Sequence, residues 1–81
     1  MAEQITYYAI VGPRATRDRP SGLARRREDE RGPLDEALGR DLNWRPSSVI
    51  VEWKRAESTE DLVEISEAEA QSLIQYFRQK G

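Results

Sequence analysis

Residues Ile5 to Val11 read ITYYAIV, a run of β-branched and aromatic side chains near the start of the chain. In an extended backbone successive side chains point to opposite faces, so Ile5, Tyr7, Ala9 and Val11 share one side while Thr6, Tyr8 and Ile10 share the other. Both sides are largely apolar. Such a segment suits a central strand covered on at least part of each face, and it is the strongest constraint on the fold. Gly12 and Pro13 stop it.

The chain that must build around this strand has 81 residues, 37% of them apolar, and a formal net charge of -2. A domain of that size buries only about 63% of its surface on folding, so its stability margin is thin. Leu, Ile, Val and Phe make up 16 of the 81 residues, near the limit below which highly charged chains stay disordered, but the small net charge and the two Trp and three Tyr favour a folded domain. Cysteine and histidine are both missing from the sequence. That removes disulfides, thiolate chemistry, Cys-based metal sites and the commonest general base and metal ligand. No metal-ligand spacing, Gly-rich phosphate loop or nucleophile elbow can be read, so neither a catalytic residue nor a cofactor is expected. No apolar run approaches the ~18 residues of a membrane span, and no leader pattern is legible, so a cytoplasmic protein without a membrane contact is the expectation.

The remaining elements follow from local patterns. Residues 12–22 hold two prolines, two glycines and three arginines without apolar periodicity, which predicts an exposed, flexible loop. Leu23 to Glu28 reads as a second strand, and Glu28 to Gly32 as a charged turn. Pro33 at a first helical position, Asp35 and Glu36 behind it, and Leu34, Leu38 and Leu42 at intervals of four predict a short helix ending near Leu42 or Asn43. Val49, Val51 and Trp53 alternate within Ser47 to Arg55 and predict a strand, with Ile50 as the exception. A wide hairpin over Ala56 to Asp61 then leads to a short strand, Leu62 to Ile65. Ser66-Glu67-Ala68-Glu69 is a capping box, so a helix should begin at Glu67 with Ala70, Leu73, Ile74 and Phe77 as its apolar stripe. The predicted architecture is a single α+β domain over residues 1–81: an antiparallel sheet of three or four strands, a short middle helix, and a C-terminal helix packed on one face. The predicted core is Tyr7, Ala9, Val11, Leu38, Val49, Val51, Trp53, Val63, Ile65, Leu73, Ile74 and Phe77.

Charge is unevenly spread along the chain. Residues 12–31 carry seven arginines against four acids, whereas residues 57–69 carry six acids and no base. Arginine forks match phosphate oxygens, which makes Arg14, Arg17, Arg19, Arg25, Arg26 and Arg27 candidate partner or nucleic-acid contacts, with Trp44 as a stacking platform. The competing reading is a solvated segment whose arginines pair with neighbouring acids, and a whole-chain pI near 5.2 favours it. The acidic stretch reads as a surface for a basic protein or as a polar hairpin and helix start. The favoured function is therefore a non-enzymatic protein-interaction module or small accessory or regulatory protein with an unknown protein partner. The alternative is nucleic-acid binding through the arginine-rich segment 14–31. Self-association through an edge strand is a further expectation of so small a sheet.

The pattern Tyr7-Tyr8-Ala9-Ile10-Val11, Ser21-Gly22-Leu23-Ala24-Arg25-Arg26, Asp35-Glu36-Ala37-Leu38, Val49-Ile50-Val51-Glu52-Trp53 and Val63-Glu64-Ile65-Ser66-Glu67 resembles small bacterial proteins of unknown function. The resemblance implies no activity and transfers no functional residue.

Overall fold

The computed structural model describes residues 3–57 and 60–80. Five strands form one antiparallel sheet: β1 (Gln4–Val11), β2 (Gly22–Asp29), β3 (Gly32–Leu38), β4 (Trp44–Pro46) and β5 (Asp61–Ile65). Their spatial order is β4-β3-β2-β1-β5, so the first four strands form a meander and β5 returns to pair with β1. Two helices complete the domain, α1 (Val49–Lys54) and α2 (Glu67–Lys80). The class is α+β as predicted, with five strands rather than three or four.

The two-faced β1 sets the layering. Tyr7 and Ala9 point to one side, where Leu23, Ile65 and the α2 residues Ala70 and Leu73 form a buried cluster flanked by Ile5, Leu38, Trp44, Ile74 and Phe77. Ile10 points to the other side and packs with Ala24, Leu62 and Ile50 of α1, beside Tyr8, Val49 and Trp53. The helix α2 starts at Glu67 as predicted, with the Glu69 backbone N–H donating to Ser66 Oγ at 3.1 Å. Its stripe is buried at Ala70 and Leu73 and half-buried at Ile74 and Phe77.

Two predicted elements are corrected. Residues 33–42 are not a helix: Gly32 to Leu38 is β3, preceded by a tight turn in which Gly32 takes φ +108° and the Arg31 N–H donates to Asp29 Oδ1 at 2.8 Å. Leucines four apart satisfy a strand as well as a helix, because four is a multiple of two, and cross-strand pairing with β2 decides between them. Ser47 to Arg55 is not a strand either, and it forms no hairpin with 62–65. Val49, Ile50 and Trp53 fall on one side of the short helix α1, and Ile50, the residue that broke the alternation, is fully buried. Tertiary burial overrides the β preference of the valines. The core shifts accordingly: Val11, Val49, Val51, Trp53 and Val63 are only half-buried, while Ile10, Leu23, Ala24, Ile50, Leu62 and Ala70 are buried.

The end of α1 carries a Schellman closure, with the Ala56 N–H donating to the Trp53 carbonyl at 3.0 Å and the Glu57 N–H to the Glu52 carbonyl at 2.8 Å. This geometry holds Ala56 at φ +58°, a left-handed conformation in which a side chain is strained. Ala56→Gly is expected to stabilise the domain by about 0.5–1 kcal/mol, which urea unfolding monitored by tryptophan fluorescence will show as a higher midpoint at unchanged slope.

Candidate functional site

The strand β2 divides the central arginines between the two faces of the sheet. Arg25 and Arg27 share the α2 side with Leu23, and Arg26 shares the α1 side with Ala24. Arg25 stands opposite Glu36 in β3 and donates from Nε to its Oε1 at 2.8 Å, while its guanidinium lies 4.2 Å from the centre of the Trp44 ring. Trp44 in turn meets Tyr7 at 6.1 Å between ring centroids. Arg26 stands opposite Asp35 and grips both carboxylate oxygens, at 2.7 and 3.0 Å. The hydrogen bond to Asp35 raises the Arg26 pKa above its ordinary value. Arg27 reaches Glu3 at 2.8 Å and lies 3.8 Å from Glu36.

The loop arginines are also engaged by the protein. Arg17 holds both oxygens of Glu69 in α2, at 2.8 and 3.0 Å, which fastens the loop to the start of that helix. Arg19 lies over the Tyr76 ring at 4.7 Å; its hydrogen bond and charge, with Lys80 nearby, pull the phenol pKa down. Between these contacts the loop makes two small closures, Gly12 with Ala15 and Thr16 with Arg19, through reciprocal backbone hydrogen bonds. Arg14 enters no ion pair among the described residues and lines a shallow hollow of about 460 Å³ with Pro13, Ala15, Arg19 and Glu60. The seven candidates from the sequence therefore do not form one surface. Arg25 lies over Trp44, Arg25 and Arg27 share Glu36, and Arg14 and Arg19 line one hollow at the other end of the sheet.

Two features escaped sequence reasoning. One is a groove of about 300 Å³ between the end of β3, the start of β2 and α2, walled by Leu38, Leu42 and Phe77 with Arg40 beside them. The turn between β3 and β4 shapes it, with the Gly39 N–H donating to the Asn43 carbonyl at 2.9 Å and Leu42 held at φ +65°. The other is the outer edge of β5. Of the two edges of the sheet, β4 is three residues long and ends in Pro46, whereas β5 has five residues and no proline. Among the described residues no backbone hydrogen bond joins β5 to any element besides β1. Asp61 accepts the Trp53 indole N–H at 2.5 Å and the Leu62 backbone N–H at 2.9 Å on the same oxygen, tying the strand to α1. Glu57, Glu64 and Glu67 enter no ion pair among the described residues. Glu64 stands opposite Tyr8 in β1, where burial first and the Glu64 charge second raise the phenol pKa, against the pull of Arg26. The signal for this edge was present as the acidic stretch, but the position of β5 in the sheet was not.

Among the described residues no group of three acids stands close enough to hold a metal ion, and no helix is long and apolar enough to cross a membrane.

The buried pair should respond sharply to mutation. The Arg25 and Glu36 side chains are only 17% and 10% exposed, so Arg25→Ala leaves a carboxylate buried with only the longer Arg27 contact and is expected to cost about 3 kcal/mol in chemical denaturation. The exposed Arg17 and Glu69 pair is expected to show in a titration instead. The Arg17 hydrogen bond, with help from Arg17 charge and the Ser66 backbone N–H, lowers the Glu69 pKa in the folded state. A depressed folded pKa stabilises above the unfolded value and loses that contribution as pH falls through the folded value. NMR titration of the Glu69 carboxyl should therefore give a midpoint below the ordinary glutamate value, moving upward in Arg17→Ala and in high salt. Compared with family models, with curated proteins and with solved structures, the chain matches none.

Proposed function

We propose that the protein is a non-enzymatic protein-interaction module that acts as a small accessory or regulatory subunit. The observation that carries this reading is the outer edge of β5: a five-residue strand with a single β neighbour, in a stretch where six acids stand without a base between residues 57 and 69. An unpaired edge is a template for main-chain hydrogen bonding to another chain. The charge around it supplies selectivity and steering for the approach.

Nucleic-acid binding is the weaker reading on the same geometry. Arg17, Arg25, Arg26 and Arg27 each hold a carboxylate of the protein, so binding phosphate through them requires breaking ion pairs that already exist. Arg25 also stacks on Trp44, which takes that ring face away from a base.

Affinity capture from native cell lysate at several salt concentrations, with bound proteins identified, tests the module reading; recovery of no specific protein sinks it. Fluorescence anisotropy with labelled duplex and single-stranded probes at low salt tests the other. The expected result is no binding at tens of micromolar protein. A log–log salt slope of roughly -3 to -4, as about four phosphate contacts produce, lost on changing Arg25, Arg26 and Arg27 to alanine, would restore the nucleic-acid reading.

A further inference from the structure

We infer that the outer edge of β5 takes an extended, basic segment of a partner protein as a sixth strand of the sheet, an inference that rests on the interaction-module reading. Among the described residues the β5 edge suits this best, since the part of β3 beyond β4 begins with Gly32 and Pro33 and its Asp35 carbonyl already accepts the Ser47 N–H. The edge strand β4 is three residues long and closes with Pro46, which lacks a donor, whereas β5 offers five residues without proline or glycine. The edge is partly guarded, since the Asp61 carboxylate accepts the Leu62 N–H, but no other backbone partner holds Asp61–Ile65 on the side away from β1 among the described residues.

Charge selects the occupant. A second copy pairing antiparallel about Val63 would set Glu64 beside the other copy's Leu62, and Asp61 beside its Ile65. It would also bring two acidic stretches together, each with a formal charge of -6 over residues 57–69, of which Glu69 is paired with Arg17. Like charges at that range oppose the pairing, so the acids that guard the edge against self-association favour a basic strand. The two faces then fix the pattern. Glu64 lies on the Tyr8 side of the sheet with buried Leu62 and enters no ion pair among the described residues. Val63 and Ile65 lie on the side of Tyr7 and Ala9 with Asp61 at the strand start, so the exposed side chain that a new strand meets on the Tyr8 side is Glu64. A lysine or arginine on the Tyr8 side and a less polar residue on the α2 side, alternating, match both faces.

The probe is a ten-residue peptide of alternating lysine and threonine, followed by amide chemical shifts and hydrogen exchange on the whole protein. The expected result is shifts and slowed exchange confined to residues 61–65 and their β1 neighbours. The all-glutamate counterpart should produce neither. A lysine–threonine peptide N-methylated at alternate residues should bind at least tenfold more weakly, and Glu64→Lys should weaken the unmethylated peptide at least tenfold while its spectrum elsewhere stays folded. No shift at millimolar peptide, equal binding of the methylated peptide, or shifts centred on another surface would overturn the assignment, as would a dimer through β5 that the lysine peptide leaves intact. A specific protein captured equally by wild type and Glu64→Lys would overturn the edge while leaving the module reading in place; a lysate yielding no specific protein removes that reading independently of the peptide result.

Discussion

Burial of β1 on both of its faces is the constraint from which the rest of the structure follows. Tyr7 and Ala9 on one side and Ile10 on the other are all withdrawn from water, so the sheet needs a cover on each side. An 81-residue chain has little material for two covers. It meets the demand unequally, with a 14-residue helix over one face and a six-residue helix over part of the other. The short cover works because its apolar residues are concentrated: Ile50 is fully buried, and Trp53 is anchored to β5 through Asp61. Polar residues take up the rest of that face: Arg26 and Asp35 pair there largely out of solvent, and Glu64 stands exposed.

Two ion pairs mark the register of the β2–β3 hairpin. The pairs Arg25 with Glu36 and Arg26 with Asp35 sit directly opposite each other in β2 and β3, on opposite faces. Slipping the hairpin by one residue would turn β3 over relative to β2, so that Asp35 and Glu36 exchange faces and Leu38 leaves the α2 side of the sheet. In the fold, Arg25 and Arg26 of this arginine-rich stretch pair across the hairpin with Glu36 and Asp35.

What the sequence disclosed was what single segments dictate. The strand β1 was legible because both faces carried the same message, and α2 because its cap and its stripe agreed. The strand β3 was misread because leucines spaced by four fit either periodicity. The deciding information lay in a second segment: Arg25-Arg26 and Asp35-Glu36 are mirror-related about the turn at Glu30-Arg31, a complementarity visible only when two stretches are compared. The helix α1 was misread for a similar reason, since Val49, Val51 and Trp53 alternate while Ile50 is needed in the core. Composition marked residues 57–69 as acidic, but which strand lies at the rim of a sheet depends on the order of all five, and no local pattern encodes that order.

Closing β5 against β1 joins residues fifty or more positions apart, with Tyr7 opposite Ile65 and Val11 opposite Asp61. The meander of β1 to β4 needs only neighbouring segments, so it can assemble while the chain is still being made. Throughout that interval the most apolar strand of the domain has a bare flank, and the face awaiting α2 is wet. Synthesis, at about 5–20 residues per second, bridges the gap in a few seconds. A chain that has made β1 to β4 but not yet β5 and α2 would leave that flank of β1 bare, and the last quarter of the sequence is what covers it.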